Sequence, residues 1–160
     1  MLKSTFDLRR KLGPVIRVAD LANDPAQREM LEREHPELHR LLQQPETLNA
    51  LQQDEIPVPC TEDREGYYGE CHLGFWLSGL QDKLMVTRLI PASKKAQCIL
   101  DFGGASGRVA RHWLNADPKC NVVLADLNIN HIDYVSKHFP TRLRPIKLSS
   151  QPQLMLPDNC

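Results

Sequence analysis

The residue types best suited to chemistry lie in ILDFGGASGRVARHW, residues 99 to 113. An apolar run ends in an acid, Asp101, and enters a turn holding Gly103, Gly104, Ala105 and Gly107 before helical periodicity begins. Glycines permit the left-handed dihedrals of a tight turn and let a ligand approach the backbone without Cβ atoms in the way. A helix opening after Gly107 would aim free N–H groups and its positive end at that ligand, which suits a carboxylate. Nineteen residues beyond Gly107, a second apolar run ends at Asp126. An acid at that distance can accept hydrogen bonds from both hydroxyls of a ribose, with Leu127 placed to cover an adenine ring. Glycine turn and acid are each weak signals. Their combination points to an adenosine-containing cofactor, against the plainer reading of a glycine-containing loop and a surface Asp.

Such residues need a sheet to hold them. Cys98 to Phe102 reads as a buried strand, and Val109 to Asn115 as a helix with Val109, Trp113 and Leu114 inward. Val122 to Ala125 is a second strand, Ile129 to His138 a helix closed by Pro140, and Leu143 to Leu148 a third strand. Strand and helix in alternation predict a parallel α/β sheet. Upstream, Asp24-Pro25-Ala26-Gln27 is a helix start, with Asp24 as cap and Gln27 in the capping-box position. The apolar stripe of Met30, Leu31, Leu38, Leu41 and Leu42 is bent or split at Pro36. Pro45 to Gln53 forms a short helix, residues 57–71 a loop, and Leu73 to Ile90 a helix ended by Pro91. Gly79 weakens that last helix by about 1 kcal/mol relative to alanine.

Dinucleotide enzymes use G-x-G-x-x-G, which fits neither from Gly103 nor from Gly104. The pattern acid-x-Gly-x-Gly-x-Gly fits Asp101 to Gly107, with Ala105 for the middle glycine. This stretch resembles the first motif of the class I S-adenosylmethionine-dependent methyltransferases. Ala125-Asp126-Leu127-Asn128 is similar to the family's acidic second motif, and Leu154 to Asn159 resembles the segment leading into its fourth strand. Ser149, Ser150 and Gln151 stand where an adenine-contacting acid often stands, which makes Ser150 a candidate contact through its hydroxyl. Residues 65–84, EGYYGECHLGFWLSGLQDKL, are similar to a segment that packs over the cofactor in some small-molecule-type members. Tyr67, Tyr68 and His72 are therefore candidates for lid or substrate contacts, or else an aromatic anchor of the helices on the sheet.

The resemblance implies S-adenosyl-L-methionine as cofactor, with Gly103 to Gly107 around its methionine end and Asp126 on the ribose. Asp101 would brace the loop or meet the donor's amino group. It implies a Rossmann-like parallel sheet, an incomplete class I methyltransferase fold, with a helical N-terminal extension. Residues 1–92 are the extension and lid segment, and 93–160 the N-terminal half of the cofactor domain. Seven strands are usual in the family and this chain runs out after the third. A fragment of a longer enzyme is expected, or a domain that completes its sheet through a partner chain. Methyl transfer needs alignment and sometimes a base; the catalytic base is not identified, His72 being the best of the six histidines.

Of the 160 residues, 41% are hydrophobic and 25% charged, and twenty basic residues cancel twenty acidic ones. That balance predicts a soluble globular chain with a small organic methyl acceptor, without the basic groove of a nucleic-acid partner. No apolar run approaches the roughly 18 residues that span a bilayer, and no secretory leader is evident, so no membrane is expected and the location is cytoplasmic. Five cysteines at 60, 71, 98, 120 and 160 read as reduced thiols rather than a disulfide framework or a zinc site on Cys60, Cys71 and His72. No metal is expected. Two other classes compete: an NAD-dependent oxidoreductase fragment and a non-catalytic Rossmann-like binding module.

Overall fold

The computed structural model describes residues 16–91 and 98–151; the segment Leu154 to Asn159 and Cys160 lie outside them. After α1 (Val18–Asn23), prolines open three helices in turn: α2 (Pro25–Glu34), α3 (Pro36–Leu42) and α4 (Pro45–Gln53). Proline suits a first helical position because no N–H is needed there and its φ is already helical. Pro36 thus splits the stripe into two helices rather than bending one. Asp24 caps α2 by accepting the Ala26 N–H at 2.9 Å. Gln27 does not serve as the capping-box partner; it is buried, donating to Glu70 O at 2.9 Å and accepting the Leu73 N–H at 3.1 Å.

The longest helix, α5 (His72–Leu89), packs its first half into this bundle. Leu31, Leu38, Leu42 and Leu51 are buried with Leu73, Phe75, Trp76 and Leu77, each contributing about 1.5–3 kcal/mol relative to exposure. The C-terminal end of α5 projects Met85, Val86 and Leu89 to solvent.

The second half of the chain is an α/β unit, as its alternating pattern predicts. Strands β1 (Cys98–Phe102), β2 (Asn121–Asp126) and β3 (Leu143–Lys147) form a parallel sheet in the order β1-β2-β3. Helices α6 (Ala110–Ala116) and α7 (Ile129–His138) connect them. Val122, Leu124 and Leu143 form a core with Trp113, Leu114 and Val135. β1 departs from the expected buried strand: Leu100 is 45% exposed and Phe102 57%. The exposed residues alternate along the strand and so share one face of it, and β1 pairs with β2 alone among the described strands.

A polar seam joins the two cores. Arg111 of α6 forms an ion pair with Asp54 at 2.8 Å, both fully buried, and donates to Ile56 O and Pro57 O. Trp76 Nε1 donates to the same carboxylate at 2.6 Å, and Tyr134 OH donates to Pro57 O at 2.8 Å. Burial pushes the Asp54 carboxyl up, but the charge and hydrogen bond of Arg111, together with hydrogen bonds from Trp76 and Asn115, hold it below the usual range. His112 beside them contacts Trp76 O at 2.9 Å, and burial depresses its pKa to about 3.

Candidate cofactor site

The turn after β1 takes left-handed backbone at Gly103 (φ 74°), Ala105 (φ 47°) and Gly107 (φ 80°). Gly104 is needed for space, since a Cβ there would lie 2.7 Å from Leu124 Cγ and 2.9 Å from Asp101 Cγ. Gly103 is the opposite case. A Cβ on it would meet nothing within 4 Å, so its bare α-carbon faces open space. Turns continue through Val109, and α6 begins only at Ala110, later than the sequence predicts. Most of the turn's amides are already committed. Gly103 N–H donates to Ala125 O at 2.7 Å, Ala105 N–H to Asp126 Oδ2 at 2.9 Å, and Gly107 N–H to Gly104 O at 2.9 Å.

Asp126 therefore braces the turn as well as facing it. Its Oδ1 accepts the Asn128 N–H at 2.7 Å and lies 3.3 Å from His131 Nδ1. Each carboxylate oxygen has about two acceptor positions, so one on Oδ2 remains for a ligand hydroxyl.

Two cavities meet at Gly103. One, of about 350 Å³, is lined by Phe102, Asp126, Leu127, Leu148 and Ser150. The structure thus brings together the candidate ribose acid, the candidate adenine cover and the candidate hydroxyl contact. The other, of about 370 Å³, runs over Asp101, Gly104 and Ala105 and is roofed by Glu65, Tyr67 and Arg108. Each is of the size that takes a small molecule or part of a cofactor.

Asp101 faces the second cavity with Oδ2 buried and lacking a hydrogen-bond partner. Burial pushes its carboxyl up, while the charge of Arg108 and the Ala110 N–H pull it back and Asp126 pushes it further up. A ligand cation or N–H donor there would relieve that burial. The cavity's two arginines are each anchored by protein partners. Arg108 pairs with Asp82 at 2.7 Å and donates to Ser78 Oγ at 3.1 Å. Arg64 donates to the carbonyls of Tyr67, Pro59 and Gly69, winding the 59–69 loop around its guanidinium.

Of the candidate lid residues, Tyr67 alone lines the cavity, with Arg108 over its ring at 5.3 Å. Tyr68 packs instead on His35, ring centroids 4.8 Å apart, and belongs to the helical core. His72 lines neither cavity; its Nε2 lies 3.8 Å from Glu70, and burial lowers its pKa, with Arg64 adding to the effect. Cys60, Cys71 and His72 do not gather as a metal site among the described residues. Instead Cys60 Sγ donates to Asp63 Oδ2 at 3.0 Å.

Sequence reasoning missed Glu65, Arg108 and His131. Glu65 reaches α7 across sixty-three positions to accept from Asn128 Nδ2 at 2.7 Å, which no local pattern reveals. His131 had a local signal: it precedes Ile132 on the inward face of α7, where a polar side chain calls for an explanation.

No protein-family model and no curated protein matches the chain. Among solved structures, the chain is similar to the plantazolicin methyltransferase BpumL in complex with SAH, at 13% sequence identity and a TM-score of 0.42. The match covers 86% of this chain and 46% of that one, so the chain spans about half that structure's length. A likeness of that depth carries no chemistry; what the site can do follows from its own residues. Among the described residues no helix is long and apolar enough to cross a membrane.

Proposed function

We propose that this chain is the cofactor-binding part of an S-adenosylmethionine-dependent methyltransferase with a small-molecule acceptor. The observation that carries the reading is the chemistry of the two cavities around Gly103. They offer two unspent carboxylate positions, Asp101 Oδ2 and one on Asp126 Oδ2, with the Ser150 and Ser106 hydroxyls, which can donate or accept. The turn's amides at Gly103, Ala105 and Gly107 are already bonded, and each cavity arginine is held through part of its guanidinium. A pyrophosphate needs free donors, whereas a ribose diol and an ammonium need free acceptors. The two free carboxylate positions suit the ribose and the ammonium of S-adenosylmethionine.

When bound, S-adenosylmethionine supplies a methyl group on a sulfonium, open to in-line displacement. The chain's own contribution is to bind and align. Asp126 would hold the ribose, Leu127 would cover the adenine beside Ser150, and Asp101 would meet the amino group. The bare α-carbon of Gly103 leaves room between the two cavities for the molecule to pass. Tyr67 would close the methionine end against water. The neutral charge balance supports a small organic acceptor over a polyanion.

Calorimetric titration with S-adenosylhomocysteine tests the reading, with NAD and the Asp126→Ala variant as controls. Saturable binding that the variant loses, with none for NAD, is the expected result. Binding of NAD instead would move the reading to an oxidoreductase. A folded chain that binds neither would overturn it.

A further inference from the structure

We infer that His131 is a ligand contact of this site: its Nε2 accepts a hydrogen bond from a cofactor hydroxyl, and Asp126 sets the tautomer that lets it do so. The inference rests on the cofactor reading above.

The tautomer follows from what faces each ring nitrogen. Nδ1 lies 3.3 Å from Asp126 Oδ1, and an ionised carboxylate can only accept, so Nδ1 must carry the hydrogen. The same Oδ1 also takes the Asn128 N–H at 2.7 Å, which anchors the carboxylate on the start of α7. A neutral imidazole protonated at Nδ1 presents a bare lone pair at Nε2. That atom is buried and has no hydrogen-bond partner, and the side chain is only 6% exposed. Glu65 Oε1 stands 3.8 Å from Nε2, beyond hydrogen-bond reach.

A buried acceptor without a donor is costly and uncommon, and where one lines a cavity a ligand is the natural source of the donor. His131 lines the same cavity as Asp101, whose Oδ2 is likewise bare. Arg64 and Arg108 also line the cavity, but they are held on the Tyr67 and Pro59 carbonyls and on Asp82, and neither bonds Nε2. Hydroxyls and amines find acceptors there in Asp101 Oδ2 and the Nε2 lone pair. Sharing Asp126 with the expected ribose position makes a ribose hydroxyl the donor.

The test is nitrogen-15 NMR of the histidine-labelled full chain, titrated with S-adenosylhomocysteine. The free protein should show His131 with Nδ1 protonated and Nε2 bare, and ligand should shift the Nε2 resonance toward that of a hydrogen-bonded nitrogen. His131→Leu should weaken binding about tenfold, while His131→Gln, which returns an acceptor near the Nε2 position, should stay within about threefold of wild type. An Nε2-protonated ring overturns the inference at once. So does binding of S-adenosylhomocysteine that leaves Nε2 unmoved or affects both variants equally, and the cofactor reading then stands alone. A folded wild-type chain that does not bind S-adenosylhomocysteine overturns both.

Discussion

The Asp126 carboxylate accepts the backbone N–H of Ala105 at 2.9 Å with one oxygen and that of Asn128 at 2.7 Å with the other. One side chain at the end of β2 thus fixes both the turn that follows β1 and the first residues before α7. A ligand that bonds Asp126 joins a network already built, so little ordering remains to oppose binding.

Asp126→Asn removes the charge and replaces one acceptor oxygen with a donor that confronts an amide N–H. Charge-assisted hydrogen bonds contribute about 1.5–3 kcal/mol each, so a loss of about 2 kcal/mol is expected. Urea unfolding would show it as a lower midpoint at unchanged slope. An unaltered midpoint would mean that the turn holds without this carboxylate.

Ala105 occupies left-handed backbone at φ 47°, where a Cβ costs about 1–2 kcal/mol. Ala105→Gly removes that strain and gives back about 0.4–1 kcal/mol through the freer unfolded chain. A net gain of about 0.5–1 kcal/mol is expected in the same urea measurement. A loss would show that the Ala105 methyl makes contacts worth more than the strain.

Gly79 looks from the sequence like a weak point of α5, yet alanine should be worse. A Cβ there would run into the backbone carbonyl of Arg108, where α5 crosses the turn before α6. Helix propensity favours Gly79→Ala by about 1 kcal/mol, and overpacking against an immovable carbonyl costs about 1–3 kcal/mol or more. Thermal unfolding should show a lower Tm. A raised Tm would mean that the two elements separate at little cost.

His112 predicts a pH dependence with a definite sign. Its folded pKa of about 3 lies below the ordinary 6.5, so the unfolded chain binds the extra proton between those values. Stability should be full above pH 6.5 and fall as pH drops below it, with a slope of about 1.4 kcal/mol per pH unit from this residue. Burial lowers His72 and His138 as well, which steepens the total. The comparison is therefore wild type against His112→Gln at several pH values between 4 and 7.5. Identical slopes in the two proteins would exclude His112 as the source.

Much of the fold was legible because local rules act within a few residues. Prolines at the first positions of α2, α3 and α4 mark helix starts by their own geometry, and Pro140 marks the end of α7. Short apolar runs separated by helical ones identified the three strands. β1 reads as buried because an apolar run reports a preference for burial, while actual burial depends on what packs over Leu100 and Phe102, which are exposed. Gln27 matched the capping-box spacing yet was drawn 46 positions away to Leu73, since a buried backbone N–H needs an acceptor more than an exposed one does.

At the site, the sequence by itself determined the glycine turn, the acids at the ends of β1 and β2, and the separation of Gly107 from Asp126. Covalent order and backbone sterics decide those features. Only the tertiary structure decided that Tyr67 and not Tyr68 or His72 reaches the cavity, that Arg108 is neutralised by Asp82, and that His131 stands on Asp126 with a bare nitrogen. The reason is physical. Whether a polar group is free to bind a ligand depends on which partners lie within about 3 Å of it. Those partners come from elements that packing, not sequence spacing, brings together.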